Sequence, residues 1–112
     1  MKPKFEVVFL EEANEFLNRL DEKAREKIIY TIRKSQIVND SKLFKKLNNH
    51  VWEFRTLHNK IKYRLFAFWD KTDKKETVVV STHGIEKKSQ KISKSDIKRT
   101  ERMMNEYFNI KK

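Results

Sequence analysis

The chain has 112 residues, a formal net charge of +11 and no cysteine. This length suits one domain with a single hydrophobic core, and the lack of cysteine excludes disulfides, thiolate zinc sites and cysteine nucleophiles. The first twenty residues hold four glutamates and no long apolar run, which argues against a signal peptide or a membrane-spanning segment. We therefore expect a cytoplasmic protein with one domain over residues 1–112.

The positive charge is concentrated in the C-terminal two thirds of the chain. Residues 1–40 carry eight basic and eight acidic side chains, so residues 41–112 carry the whole excess. A field of one sign on a small domain attracts polyanions and accelerates their association. Nucleic acid is the leading candidate partner, and an anionic membrane surface or an acidic protein segment is the alternative.

The N-terminal region predicts a strand followed by a helical hairpin. Residues Phe5–Phe9 are typical of a short strand, and Asp21 is placed to cap the second helix, which should end before Asn39. The apolar positions recur at helical spacing, with Ala13, Phe16, Leu17 and Leu20 in the first helix and Ala24, Ile28, Ile29 and Ile32 in the second.

Three strand-like runs follow a basic connector at residues 43–47. They are Val51–Leu57, Lys60–Trp69 and Thr77–Ile85, and turn-forming residues separate them. Short turns between consecutive strands predict an antiparallel three-strand meander.

The last segment predicts a closing helix. Ser93 and Asp96 have the spacing of a capping box at its start. Its apolar stripe comprises Ile97, Thr100, Met104, Tyr107 and Phe108. Helices segregated from a run of strands give an α+β fold.

Strand alternation places Arg55 and Arg64 on the face of the meander opposite to most of its apolar residues. A guanidinium on such a face needs an anionic partner, which is either a carboxylate such as Glu53, in a structural ion pair, or a phosphate. Phe66 shares this face and is the aromatic residue best placed to stack on a base, whereas the other strand aromatics should be core. The three histidines are scattered, so a metal site has little support.

Three motifs occur in an order that resembles a known family. They are Trp52-Glu53-Phe54-Arg55, Tyr63-Arg64, and the segment from Gly84 through Lys87-Lys88 to Lys91. This set resembles the HigB-like, phage-derived Gp49-like branch of the RelE/ParE toxin superfamily, over nearly the whole chain. Ile85 stands where the family usually has Phe, and Ser93 stands near a common Pro; neither departure touches a charged position.

The resemblance implies a ribosome-dependent mRNA endonuclease, the toxin of a type II toxin–antitoxin system. It implies cleavage without metal or cofactor, by attack of a ribose 2′-OH on the adjacent phosphate. The expected catalytic residues are Arg64, Arg55, His83 and Lys87, with the two arginines stabilising the phosphate. The general acid and base stay open among the three histidines, Glu53, Tyr63 and Tyr107. His83 is the preferred histidine because it should end a strand beside the basic segment. The expected RNA-binding residues are Lys45, Lys46, Lys62, Lys88 and Lys91.

The expected partners are mRNA on the ribosome and a cognate antitoxin, a small helix-turn-helix protein through which the complex would reach operator DNA. No membrane contact is expected. Two alternatives stay open on the sequence. One is a non-catalytic basic module that binds nucleic acid, and the other is a degenerate toxin-fold protein that serves only as an interaction partner.

Overall fold

The computed structural model describes residues 2–75, 77–91 and 93–111. These described residues form five strands and three helices, and this α+β arrangement confirms the expected fold class. In chain order they are β1 (Glu6–Phe9), α1 (Glu11–Arg19), α2 (Glu22–Ile37), β2 (Phe44–Lys46), β3 (Trp52–His58), β4 (Ile61–Asp70), β5 (Val78–Lys87) and α3 (Lys94–Lys111). Within the described ranges, none of the helices has both the length and the apolar character needed to cross a membrane.

The sheet has the strand order β1-β5-β4-β3-β2. The expected three-strand meander is therefore wrong, because the sheet has five strands. Within it, β4 does pair antiparallel with both β3 and β5, as expected. Strand β2 extends one edge antiparallel to β3, and β1 extends the other edge parallel to β5. The basic connector at residues 43–47 forms β2 because Phe44 is buried against the core while its backbone pairs with Phe54.

The helical hairpin of α1 and α2 covers one face of the sheet, which we call the core face. Asp21 caps α2 as expected, because its carboxylate accepts a hydrogen bond of 2.9 Å from the backbone N–H of Ala24. The ring of Phe16 packs directly over Gly84 of β5, where an added Cβ would lie 2.3 Å from the ring. Only a residue without a side chain lets α1 approach the sheet this closely.

Helix α3 covers part of the opposite face, which we call the second face. Phe68 of β4 contacts the rings of Tyr107 and Phe108, with centroid distances of 5.2 and 5.6 Å. Thr100 and Met103 of α3 are buried against the sheet. Thr100 was in the expected apolar stripe of this helix, and Met103 was not. Ser93 accepts a 3.3 Å hydrogen bond from the backbone N–H of Asp96, which confirms the expected helix start.

Asp70, at the end of β4, anchors the C-terminal part of α3. Its carboxylate accepts hydrogen bonds from the hydroxyl of Tyr107 at 2.7 Å and from the ammonium of Lys111 at 2.6 Å. Burial alone would raise the pKa of Asp70, but these bonds and those from Thr72 hold it well below its ordinary value. A dedicated set of partners thus keeps this buried carboxylate ionised.

Candidate nucleic-acid interface

Arg55 and Arg64 lie directly opposite each other on β3 and β4, on the part of the second face that α3 leaves open. Like charges in such a cross-strand pair repel. One carboxylate relieves the repulsion, because Glu53 lies 3.5 Å from Nε of Arg55 and 3.7 Å from Nε of Arg64. The expected strand parity is confirmed, and both the guanidinium pair and its carboxylate partner lie on one face.

The two guanidinium groups differ in accessibility. The side chain of Arg55 is 31% exposed, whereas that of Arg64 is only 6% exposed and donates a 3.0 Å hydrogen bond from Nη1 to the carbonyl of Tyr63. Burial lowers the pKa of Arg64, Glu53 opposes this effect, and Arg55 adds to it. Among the described residues, neither buried Nε makes a well-aligned hydrogen bond, so the contacts of both arginines with Glu53 are ion pairs without a hydrogen bond.

A second pair of cations lies on the same face, two residues along β4 from Arg64. Lys62 of β4 lies opposite Lys87 of β5, on the same face as the arginines. Burial lowers the pKa of Lys87; Glu53 opposes this effect, while Arg64, Arg55 and Lys62 reinforce it. The two rows place four cations around one buried carboxylate.

Two open cavities meet at Lys62. The first, of about 290 Å³, is lined by Lys42, Arg55, Lys62 and Arg64 among others. The second, of about 420 Å³, is lined by Lys60, Lys62, Lys87 and Lys88, together with Glu86 and the polar side chains of Ser89 and Gln90. We call the surface formed by these two cavities the open cationic face.

His83 does not lie on the open cationic face. It was expected to end a strand, but β5 continues to Lys87, so His83 is a mid-strand residue with 2% of its surface exposed. Its Nε2 lies 2.9 Å from Asp96 Oδ1 and its Nδ1 lies 3.0 Å from the hydroxyl of Thr82. Burial lowers the pKa of His83, although the hydrogen bond with Asp96 opposes this. Both ring nitrogens therefore have partners, which argues against contact with a substrate.

The family model of the phage-derived Gp49-like proteins (DUF891) matches residues 15–105. The chain belongs to this family. The Gp49-like family is a branch of the RelE/ParE-like toxins, so membership is consistent with a toxin of a toxin–antitoxin pair. No curated protein matches the chain.

The lysines expected to bind RNA are distributed over both faces of the Gp49-like domain. Lys45 lies opposite Glu53 in the β2–β3 pair and thus shares the face of the arginines, whereas Lys46 lies opposite Trp52 and belongs to the other face. Lys88 lines the open cationic face, and Lys91 is exposed in the segment after β5. Strand pairing thus places Lys46 on the face opposite to the arginines.

Two lysines on the open cationic face were missed from the sequence. Lys42 lines the cavity of Arg55 and Arg64, and Lys60 lines the neighbouring cavity. Asn59 and Lys60 both have positive φ, at 50° and 66°, as a two-residue hairpin turn requires, and this turn fixes the position of Lys60. The turn-forming residues expected between the first two strand-like runs were the available signal for Lys60.

Two other expectations concern aromatic stacking and metal binding. Phe66 is 2% exposed and its ring stacks on His83 at a centroid distance of 5.0 Å, so it is not accessible to a base. In the parts of the chain that the structure describes, no group of three or more His, Asp or Glu side chains is arranged to bind a metal ion.

Proposed function

We propose that the chain is a HigB-like toxin of a type II toxin–antitoxin pair and that it cleaves mRNA on the translating ribosome. The observation that carries this proposal is the cross-strand pair of Arg55 and Arg64 on an open face. Their charge is only partly neutralised, because both arginines share the single carboxylate of Glu53. Such a site attracts the phosphate of a nucleic acid.

The chemistry that fits this site is attack of a ribose 2′-OH on the adjacent phosphorus. The P–O5′ bond breaks as the O2′–P bond forms, giving a 2′,3′-cyclic phosphate and a free 5′-OH. Negative charge on the non-bridging oxygens is greatest in the transition state, where fixed cations lower the barrier. Arg55 is accessible and can engage two phosphate oxygens, while Arg64 supplies charge from the floor of the cavity.

Proton transfer in this proposal involves Lys87. A lysine whose pKa lies below its ordinary value is a stronger acid than an ordinary lysine. Lys87 has a lowered pKa and adjoins the arginines through Lys62. In its ammonium form Lys87 donates the proton to the departing 5′-oxygen, while the proton of the 2′-OH passes to solvent water. His83 is left out of the proposed site because it is buried.

The proposed partner is an antitoxin that covers the open cationic face or blocks entry to the ribosome. Exposed apolar side chains border the cations: Leu57 is 62% exposed and Ile61 is 38% exposed. They offer an antitoxin apolar contacts that RNA phosphates would not use. A helix-turn-helix antitoxin would also bring the complex to operator DNA.

The test is expression of the chain alone and together with the product of the adjacent reading frame. We expect growth arrest and mRNA cleavage that depends on translation, both suppressed by the adjacent gene. The 3′ fragments should carry a 5′-OH. Salt-dependent RNA binding without any cleavage product would instead indicate a non-catalytic module. A harmless protein that binds the neighbouring product would indicate a degenerate toxin.

A further inference from the structure

Glu53 is the acidic side chain that contacts both arginines of the open cationic face. It is 5% exposed, and its two carboxylate oxygens face different strands: Oε2 contacts Arg55 on its own strand, and Oε1 contacts Arg64 on β4. A buried carboxylate has a large desolvation cost unless cations compensate it. Here two cations do so, and the carboxylate in turn stabilises two guanidinium groups that would otherwise repel each other.

Glu53 contacts each guanidinium group on its Nε side. Both ion pairs are made through Nε, and both arginines also line the open cavity. In Arg64 one terminal nitrogen, Nη1, donates to the carbonyl of Tyr63, which fixes the plane of the group. Glu53 therefore limits rotation of both guanidinium groups from the same side, in the manner expected of a pre-organised site.

A role for Glu53 as the base that takes the 2′-OH proton fits the geometry less well. A general base must reach the proton it removes, directly or through one water. Both oxygens of Glu53 face arginines, and its side chain is 6% exposed. The carboxylate lies behind the guanidinium groups rather than among the groups that a substrate would touch.

We propose that Glu53 is a positioning residue that holds Arg55 and Arg64 by their Nε sides, so that the terminal nitrogens of Arg55 and Nη2 of Arg64 can meet the phosphate. This inference rests on the proposed function and deepens it. Displacement of a catalytic group by about 1 Å costs about 10²-fold in rate. Loss of Glu53 should therefore slow cleavage even though it makes the face more positive.

Removal of the Glu53 charge should maintain or strengthen RNA binding and yet slow cleavage. This combination distinguishes a positioning role from charge neutralisation alone. In Glu53→Gln the face gains one positive charge, so uncleavable RNA with a 2′-deoxy substitution should bind as tightly as to the wild type or more tightly. The single-turnover rate of cleavage on ribosomes should fall about 10²-fold. If Glu53 served only to neutralise charge, cleavage would be unchanged or faster.

The matched control is Glu15→Gln, which makes the same charge change at an exposed position of α1. It should leave both binding and cleavage at wild-type values. Glu53→Asp retains the negative charge but is one methylene shorter, so it cannot span both Nε atoms. It should also cleave slowly, and it keeps the test informative if Glu53→Gln does not fold. Thermal unfolding of each variant identifies those that are folded.

A pH profile gives a second readout that a merely structural role would not change. The groups that act on Lys87 are Glu53, which raises its pKa, and Arg64, Arg55 and Lys62, which lower it further below the value set by burial. Without the Glu53 charge the pKa of Lys87 falls again. The limb of the pH–rate profile that reports Lys87 should move to lower pH in Glu53→Gln and stay in place in Glu15→Gln.

Nitrogen-15 spectra of the arginine Nε–H groups test the inference apart from catalysis. The Nε–H signals of Arg55 and Arg64 should exchange slowly with water in the wild type and rapidly in Glu53→Gln. Unchanged exchange, or cleavage by folded Glu53 variants within about threefold of wild type, would overturn the positioning role. Absence of cleavage by the wild type would instead overturn the proposed function, and the exchange rates would then decide the role of Glu53.

Discussion

The charged side chains on the second face of the sheet have different kinds of partners in its two halves. Under α3, each buried charged or titratable group has its own partners: Asp70 has Tyr107 and Lys111, and His83 has Asp96. On the open cationic face, the pairs Arg55–Arg64 and Lys62–Lys87 share the buried carboxylate of Glu53.

Because of this difference, the covered half should contribute mainly to folding stability and the open half to binding. Satisfied polar groups under α3 contribute to folding, because a buried polar group without a partner has a large cost. Surplus cations on the open face destabilise the free protein slightly, and a polyanion can neutralise them. One half of the sheet therefore attaches the last helix, and the other presents the proposed site.

The largest effect is expected for Arg64→Ala, which tests whether the open face is purely a binding surface. We expect translation-dependent mRNA cleavage to fall by about 10³-fold. Because both Arg64 and Glu53 are buried, the free energy of unfolding should also fall by about 3 kcal/mol. Cleavage is measured by primer extension on ribosomes, and stability by urea unfolding.

The matched variant is Arg55→Ala, because the side chain of Arg55 is 31% exposed. It should lose cleavage to a similar degree while its free energy of unfolding stays within about 1 kcal/mol of wild type. Full toxicity of either variant at wild-type expression level would remove the arginines from the proposed mechanism.

The covered half should show the reverse behaviour in Asp70→Asn. This change removes a charge that accepts hydrogen bonds from Tyr107 and Lys111, and we expect a loss of about 2 kcal/mol in the free energy of unfolding at neutral pH. The pKa of Asp70 is depressed in the folded protein, so its stabilisation is present above the ordinary carboxyl pKa of about 4 and is lost as pH falls below it.

The difference between wild type and Asp70→Asn should accordingly narrow in acid, as measured by thermal unfolding from pH 7 to pH 3. Cleavage at neutral pH and moderate temperature should be unchanged. The exposed turn residue Asp73 offers the control Asp73→Asn, for which no comparable loss of stability is expected. A cleavage defect in folded Asp70→Asn would show that the two halves are coupled.

His83→Gln tests the boundary between the two halves. Burial lowers the pKa of His83, so the folded state favours the neutral ring. The wild type should be fully stabilised above the ordinary histidine pKa of about 6.5 and should lose stability as pH falls through the lower folded-state pKa. His83→Gln should remove this dependence and cost about 1 kcal/mol at neutral pH, with cleavage by the folded protein retained.

The control for this experiment is His50→Gln, at an exposed position before β3. Loss of cleavage in a stably folded His83→Gln protein would support the expectation from the sequence, that His83 transfers a proton. It would also contradict the division of the face that the structure indicates.

The sequence predicts features that depend on local rules, but it does not predict the burial of His83. The cap at Asp21 and the shared face of Arg55 and Arg64 follow from local rules, helix-start chemistry and strand alternation, and both are confirmed. The burial of His83 depends on where α3 lies on the sheet, and no local pattern specifies that position. The nuclease activity expected from the family resemblance stays a prediction.

Strand β2 was missed for a related reason. It has three residues, too few to show an alternating pattern, and it exists because its backbone pairs with β3 and Phe44 reaches the core. Likewise, the parallel pairing of β1 with β5 joins residues far apart in the sequence. Once β2 is recognised, its alternation assigns Lys45 and Lys46 to opposite faces, a distinction that composition alone cannot make.

The smallest effect is expected from this lysine pair, and it tests the extent of the open face most directly. Lys45 shares the face of Glu53 and the arginines, whereas Lys46 lies opposite Trp52 on the other face and lines a different cavity. In Lys45→Ala, RNA affinity should fall severalfold, and the slope of log affinity against log salt should decrease by about 0.7, the value for one phosphate contact of a single strand. Lys46→Ala removes the same charge from the neighbouring residue and should leave both quantities unchanged. Equal losses in the two variants would mean that RNA responds to net charge alone, in which case the face that β2 presents would not define the binding surface.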